Sequence, residues 1–89
     1  MAKRGRLEII RDLLLILREN HFGIKFTPLL RKTNLSSARF SEYFEEIKSK
    51  DFIEEKIMED QKRYFITDKG QRFLEKYQTI SDFISEFEL

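Results

Sequence analysis

Residues 52–70 form the sequence FIEEKIMEDQKRYFITDKG, in which two stretches that contain Phe, Ile or Tyr flank a polar tip. Phe52–Met58 and Tyr64–Ile66 are rich in β-branched and aromatic residues, which favour β-strands. Gln61-Lys62 lies between them and predicts the tip of a hairpin. Thr67 follows directly and has a side chain suited to capping a helix. The segment therefore predicts a β-hairpin that leads straight into a helix.

Three further helices are predicted before the hairpin. The first runs from Leu7 to about Asn20, because its leucines and isoleucines recur at intervals of 3, 4 and 3 residues. Thr27-Pro28 predicts the start of the second helix, with Thr as cap and Pro in the first helical position. A very short strand at residues 24–26 precedes it.

The third helix is predicted from Ser37 to about Lys50. Asn34 interrupts the chain before it, and Ser36 or Ser37 supplies the cap. Its core stripe consists of Phe40, Phe44 and Ile47.

The last predicted helix, residues 68–89, carries a long apolar stripe. Phe73, Tyr77, Ile80, Ile84 and Phe87 follow one another at intervals of 4, 3, 4 and 3, the spacing of a coiled-coil seam. Leu74 and Phe83 widen the stripe. At about 1.5 Å per residue such a helix is about 30 Å long, more than a small three-helix core covers. A second chain is therefore expected on these seven residues.

The order helix, short strand, helix, helix, strand, strand, long helix is that of a winged helix-turn-helix. The predicted fold class is α+β and mostly helical, with an extended C-terminal coiled-coil helix. We expect residues 1–67 to form the winged-helix domain with a basic N-terminal arm. Residues 68–89 form the dimerisation helix of the same structural unit.

Composition limits the functions that the chain can have. With 89 residues, no Cys and one His, the usual zinc sites cannot be assembled, and oligomerisation is the remaining way to stabilise so small a domain. The sequence contains no set of polar residues that is typical of a catalytic or ligand-binding site. We therefore expect no enzymatic activity, no cofactor and no small-molecule ligand. No apolar stretch is long enough for a signal peptide or a membrane span, so we expect a cytoplasmic protein.

Charge is divided unevenly along the chain. Residues 1–39 hold nine Lys or Arg and three Asp or Glu, a net charge of +6, whereas residues 40–89 have a net charge of −5. This asymmetry predicts one face for a polyanion and another that is acidic.

Several stretches resemble the small archaeal winged-helix proteins related to the ten-kilodalton dimeric chromatin proteins of Sulfolobus. They are RLEIIRDLL from Arg6, TNLSS from Thr33, FSEYFEEI from Phe40, DFIEE from Asp51 and YFITDKGQRFL from Tyr64. The resemblance covers nearly the whole chain. It implies binding of double-stranded DNA without catalysis, and dimerisation through the last helix as an antiparallel coiled coil.

The predicted DNA-contacting residues lie in the arm, the second and third helices and the wing. They are Lys3, Arg4, Arg6, Lys25, Arg31, Lys32, Ser36, Ser37, Arg39, Ser41, Lys62 and Arg63. In helix-turn-helix proteins the first turns of the third helix enter the major groove while the preceding helix crosses the backbone. Ordinary alternatives stay open: helix capping for Ser36 or Ser37, a solvated surface for the cations of the second helix and the wing, and disorder for the arm.

The third helix departs from this family pattern because it carries Glu42, Glu45 and Glu46, which phosphates repel. Three alternatives stay open. The glutamates point away from DNA, or one accepts a hydrogen bond from a cytosine amino group, or this chain binds DNA weakly.

Charges along the last helix favour antiparallel pairing. Its first half sums to +1, and its second half, with the chain carboxylate, to −4. Pairing about an axis near Tyr77–Ile80 sets the basic half against the acidic half. The alternative is a helix folded back onto its own domain.

Two functions compete at this stage. One is a dimeric DNA-binding protein, either a transcription regulator or a chromatin-type binder. The other is a winged-helix module that binds proteins, since a fold does not determine a function. A basic patch joining Arg31, Lys32, Arg39 and Lys62 favours DNA, and a patch interrupted by Glu42 and Glu46 favours protein.

Overall fold

A computed structural model describes residues 5–89 as four helices and one β-hairpin. The elements, in chain order, are α1 (Arg6–Glu19), α2 (Phe26–Thr33), α3 (Ser37–Ser49), β1 (Ile53–Met58), β2 (Gln61–Ile66) and α4 (Asp68–Glu86). This is a mostly helical α+β winged helix-turn-helix with a C-terminal helix of 19 residues, as the sequence predicts.

The core lies between α1, α3 and the hairpin. Helix α1 contributes more than one apolar face, because five of its residues are buried: Ile9, Ile10, Leu13, Leu14 and Leu17. Phe40 and Phe44 of α3 stack with their ring centroids 5.4 Å apart, and Tyr64 of β2 meets Phe44 edge-on at 5.0 Å. Such aromatic pairs add to the free energy of area burial.

Helix α2 begins earlier than predicted. Its first residue is Phe26 and its N-cap is Lys25, which makes no side-chain capping bond, so the prediction that Thr27 caps the helix is wrong. The Phe26 ring packs edge-on against Phe40 at 5.1 Å, which draws this residue into the helix. Pro28 is then the third helical residue, where the missing N–H still costs no intrahelical bond.

The turn between α2 and α3 is tight. Asn34 has the left-handed conformation (φ 58°) and ends α2, as predicted. The buried Thr33 hydroxyl donates to the Leu30 carbonyl at 2.7 Å and accepts from the Leu35 amide at 3.3 Å. Ser36 caps α3 by accepting the Arg39 amide at 3.2 Å, which confirms the expected cap. The end of α2 is thus held beside the start of α3.

The wing is an antiparallel hairpin with a shorter turn than predicted. Met58 pairs with Gln61 and Ile53 with Ile66. The two turn residues are Glu59 (φ 53°) and Asp60 (φ 62°), both left-handed, which matches the twist of a two-residue hairpin turn. Gln61-Lys62 is therefore the first pair of residues in β2 and not the tip.

The predicted strand at residues 24–26 is reduced to a single bridge. Ile24 exchanges two backbone hydrogen bonds with Tyr64, at 3.0 and 2.8 Å. Gly23 before it has φ +87°, and an added Cβ would lie 2.6 Å from the Phe65 ring. The chain can cross beside β2 here because this residue lacks a side chain.

Helix α4 starts where the sequence predicts and ends three residues early, at Glu86. Thr67 caps it by accepting the Gly70 amide at 3.1 Å, and the same hydroxyl donates to the Asp51 carbonyl at 2.6 Å. Gly70 and Leu74 are the buried residues of α4. The start of the helix is thereby joined to the hairpin and the core.

Candidate nucleic-acid interface

The first turn of α3 presents an arginine and two serines to solvent. Ser37, Arg39 and Ser41 are exposed, and the Arg39 guanidinium carbon lies 5.9 Å from the centroid of the Tyr43 ring. Tyr43, four residues further along the helix, therefore supports this cation. Tyr43 is not among the residues predicted to contact DNA, although its i, i+4 spacing from Arg39 is visible in the sequence.

Two more cations lie in the last turn of α2. Arg31 and Lys32 are exposed, and no acidic side chain among residues 5–89 forms an ion pair with either. The tight turn at Asn34 brings them next to the start of α3. Arg31, Lys32, Ser36, Ser37 and Arg39 together are called the basic edge below. Lys25 is exposed at the other end of α2.

Each predicted cation of the wing has a contact within the protein. Lys62 Nζ lies 3.9 Å from a Glu55 carboxylate oxygen, on the neighbouring strand. Arg63 is half-buried, and its guanidinium donates to the Gly23 carbonyl at 3.4 Å. The wing tip itself is acidic, with Glu59 and Asp60. The structure thus does not join Lys62 to the basic edge as one uninterrupted patch.

Of the three cations of the predicted basic arm, only Arg6 belongs to the described residues. Lys3 and Arg4 lie outside the described residues. Arg6 belongs to α1, where both of its side-chain contacts are with the Glu46 carboxylate on α3, the Nε–Oε1 distance being 3.2 Å. Lys50 is 4.0 Å from the same carboxylate. Arg6 therefore joins α1 to α3, and its charge is balanced.

The three glutamates of α3 do not share one environment. Glu46 is turned towards Arg6, whereas Glu42 and Glu45 are exposed. At about 100° per residue they lie opposite the buried stripe of Phe40, Phe44 and Ile47. No cation among residues 5–89 pairs with them. The outer face of α3 is accordingly acidic in the part beyond its first turn.

The pKa of the Tyr64 phenol is raised next to this face. Burial is the main cause, and the Glu55 and Glu45 carboxylates add to it. The phenol remains protonated at neutral pH and contributes no charge to the surface.

The apolar stripe of α4 divides into a covered and an uncovered part. Leu74 is 5% exposed and belongs to the core, which corrects its assignment to an interface with a second chain. Phe73 packs against Phe52 with ring centroids 5.2 Å apart. Tyr77 is half-buried beneath the Arg11 guanidinium, 5.1 Å from its ring centroid. In contrast, the remaining four predicted residues are exposed: Ile80, Phe83, Ile84 and Phe87.

Neither a metal site nor a membrane-spanning helix is found among residues 5–89. This part of the chain contains no group of three or more acidic or His side chains placed to hold a metal ion. None of its helices is long and apolar enough to cross a bilayer.

A capped α3 that follows a short α2 across a tight turn, together with a hairpin wing, defines a winged helix-turn-helix protein. The model of the winged helix-turn-helix family matches residues 3–85, and the chain belongs to that family. The comparison with curated proteins finds no significant match.

Two crystal structures are similar to this chain. Sso10a-2, a DNA-binding protein from Sulfolobus solfataricus, superimposes with a TM-score of 0.68 at 21% identity, over 96% of this chain and 90% of that one. F-93 of SSV1 superimposes with a TM-score of 0.67 at 24% identity, over 89% of this chain and 91% of that one. At these identities the two likenesses establish a shared fold.

Proposed function

We propose that the protein binds double-stranded DNA through the basic edge, mainly by contacts with the phosphate backbone. The observation that supports this most directly is that Arg31 and Lys32 at the end of α2 and Arg39 in the first turn of α3 are exposed without an acidic partner among residues 5–89. The N-terminus of a helix carries a partial positive charge and exposed amides, both of which favour phosphate. Ser36 and Ser37 add hydroxyl groups at the same place.

The acidic outer face of α3 limits how the protein meets DNA. Glu42 and Glu45 would face the phosphates if the whole length of α3 lay in the major groove, and like charges repel. Contact through the first turn and α2 keeps them farther away. Phosphate contacts carry no sequence information, so this geometry favours a chromatin-type binder over a sequence-specific regulator. The protein would then act at the nucleoid, and we assign no catalytic role to it.

The test is a titration of random-sequence duplex DNA by fluorescence anisotropy at two salt concentrations. Affinity should fall steeply with salt, because each phosphate contact releases bound counterions. Arg31→Ala/Lys32→Ala should lower the salt slope by about 2 for each protomer bound. Lys48→Ala, an exposed cation in the last turn of α3, is the matched control and should leave the slope unchanged. Absence of binding at low salt would reject the proposal.

A second variant tests the orientation of α3. Glu42→Gln/Glu45→Gln removes both charges from the outer face while preserving side-chain size. A several-fold gain in DNA affinity would show that this face lies near the phosphates, within about one Debye length. An unchanged affinity would mean that DNA remains at the basic edge alone.

One observation favours the second candidate, a protein-binding module. Glu42, Glu45, Glu59 and Asp60 are exposed and form no ion pair with a cation in the range 5–89, which gives the α3 and wing side of the domain a negative charge. A basic protein segment would suit this surface better than DNA would. If the titration finds no DNA binding, this is the function to pursue.

We further propose that the protein works as a homodimer joined by the second half of α4. Ile80, Phe83, Ile84 and Phe87 are each 43–59% exposed and form a continuous apolar surface. Ile80→Glu/Ile84→Glu should give monomers in sedimentation experiments. Ile57→Glu, at a 70% exposed apolar residue of the wing, is the control and should remain dimeric. A dimeric double variant would exclude this surface as the interface.

A further inference from the structure

The wing has a second face, which is turned away from α3 and the core. Side chains alternate between the two faces of a strand. Tyr64 of β2 is buried against the core, so its neighbours Arg63 and Phe65 belong to the opposite face. Arg63 pairs with Lys56 of β1 across the hairpin. Two cations on neighbouring strands therefore lie side by side on this second face.

A third cation extends the pair. Ile24 exchanges two backbone hydrogen bonds with Tyr64 in an antiparallel bridge. The next residue, Lys25, is therefore level with Arg63 on the face opposite the core, and it is exposed. Lys25, Arg63 and Lys56 together are called the cationic row below. Because adjacent strands are about 4.8 Å apart, the backbone positions of the row span roughly 10 Å.

The cationic row retains charge and donors for a ligand. Lys25 forms no ion pair with a residue in the range 5–89. Arg63 donates to the Gly23 carbonyl, and a guanidinium has five N–H groups in total. Lys56 Nζ lies 3.4 Å from a Glu54 carboxylate oxygen, but both side chains are at least half exposed, and such pairs are weak. Among the residues of the strands and of the bridge on this face, three cations and one carboxylate give a net charge of +2.

Aromatic rings adjoin the cationic row. Phe65 lies next to Arg63 on the same face, and Lys56 Nζ is 5.0 Å from its ring centroid. Gly23 packs against the Phe65 ring, so Phe22, the residue before it, lies at the edge of this face. Phe22 is 85% exposed, more than any other large apolar side chain among residues 5–89. Covering such a ring with a ligand would be favourable, because apolar area leaves water.

We propose that this face of the wing binds single-stranded nucleic acid, with phosphates on the cationic row and an unpaired base stacked on Phe22. A single strand presents negative charge and uncovered flat rings together, and aromatic side chains beside cations are the combination that binds it. A duplex would present only phosphates here, because its bases are already paired and stacked. The site lies at the other end of α2 from the basic edge, so it is separate from the proposed duplex site.

The first experiment tests stacking directly. Phe22→Trp introduces a single tryptophan, since the sequence has none, and its emission is recorded while oligothymidine is added. A thymine stacked on the indole should quench the emission. An abasic strand of the same length carries the same phosphates without bases, so it should bind more weakly and leave the emission unchanged. Absence of quenching by oligothymidine, or equal quenching by both strands, would overturn the stacking.

The second experiment measures the affinity for labelled oligothymidine by fluorescence anisotropy. Phe22→Ala should raise the dissociation constant about fivefold or more, because a base loses its aromatic partner. Phe22→Tyr keeps a ring and should bind within about twofold of the wild type. Ile57→Ala, at an exposed residue on the opposite face of the same hairpin, is the control. Equal affinities of Phe22→Ala and the wild type would overturn the role of Phe22.

The third experiment tests the cationic row. Lys25→Ala/Lys56→Ala should lower the salt slope of oligothymidine binding by about 1.4, because each phosphate contact of a single strand contributes about 0.7. Lys48→Ala, in the last turn of α3, should leave the slope unchanged. A slope that is equal in the double variant and the wild type would overturn the row as the phosphate site.

Parallel titrations with duplex DNA separate this inference from the duplex site proposed above. Arg31→Ala/Lys32→Ala should weaken duplex binding and preserve oligothymidine binding, whereas Phe22→Ala should do the reverse. If the first variant weakened oligothymidine binding and Phe22→Ala did not, single strands would bind at the basic edge and the wing site would be overturned. Absence of oligothymidine binding at low salt would overturn it whatever the duplex result.

Discussion

The two halves of α4 have the same apolar spacing but opposite surroundings. In the first half Leu74 is buried in the core, and Phe73 packs on Phe52. In the second half Ile80 and Ile84 are 59% and 43% exposed. A periodic stripe therefore reveals that a helix has an apolar side, but not which part of the molecule covers it. The four predictions below test this difference, beginning with the largest expected effect.

Leu74→Ala should lower the free energy of unfolding by about 2–5 kcal/mol, because it leaves a cavity in a packed core. Urea denaturation at several protein concentrations measures this loss, which should be the same at each concentration. Ile84→Ala is the comparison in the second half. If its surface is covered only in the dimer, its effect should appear only at concentrations where dimers form. If Leu74→Ala and Ile84→Ala lowered the free energy of unfolding equally at every protein concentration, the two halves of α4 would not differ in what covers them.

Gly70→Ala should lower the free energy of unfolding by about 1–3 kcal/mol. An added Cβ would lie 2.5 Å from the Phe52 carbonyl oxygen and 2.7 Å from Ile66 Cγ1, so α4 must move away from the hairpin. Gly5→Ala is the matched control, because its Cβ would have an ordinary contact of 3.7 Å with Glu8. A thermal melt that finds equal stabilities for the two variants would refute the close approach.

Thr67→Ala should cost about 1 kcal/mol of stability through loss of the helix cap. The hydroxyl also donates to the Asp51 carbonyl, which the variant leaves without this donor. Thr79→Ala serves as control, since its exposed hydroxyl only donates back to the Glu75 carbonyl of the same helix at 3.1 Å. Chemical denaturation of the two variants should rank Thr67→Ala as clearly less stable, and the reverse order would count against the role of this cap.

Arg11→Lys should have the smallest effect, about 0.5–1 kcal/mol, at the boundary between the halves. The guanidinium covers the Tyr77 ring and donates to its hydroxyl at 3.5 Å, and a lysine cannot reproduce this planar contact. Arg18→Lys, on an exposed arginine of the same helix, should be neutral in the same denaturation assay. Equal stabilities of Arg11→Lys and Arg18→Lys would mean that Tyr77 is held by packing alone.

Much of the architecture was predictable because local rules and the final packing agree. The apolar spacing predicts α1, α3 and α4, and the caps at Ser36 and Thr67 follow from residue type alone. The start of α2 was not predictable in this way, since Phe26 enters the helix through its contact with Phe40 across the fold. The predicted position of the hairpin turn is also wrong, because Glu59-Asp60 lacks the Asn-Gly type of signal that marks a two-residue turn.

The candidate site likewise contains residues that the sequence predicts and contacts that it does not predict. Arg31, Lys32 and Arg39 were identified from their positions in the helix-turn-helix, and their exposure is a consequence of helix periodicity. The engagement of Arg6 with Glu46 and of Lys62 with Glu55 could not be inferred, because each pair joins different elements. Leu7 belongs to the predicted first helix, but its 51% exposure depends on how α1 packs against the rest of the fold.

The sequence by itself determined the order of the elements and the existence of an apolar stripe along α4, because both depend on residue type and local spacing. Only the tertiary structure decided which carboxylates balance which cations and which apolar side chains stay uncovered. These outcomes depend on distances between elements remote in sequence, which local periodicity does not contain. For this reason Leu74 is buried in the core, whereas Ile84, ten residues further along the same helix, is exposed.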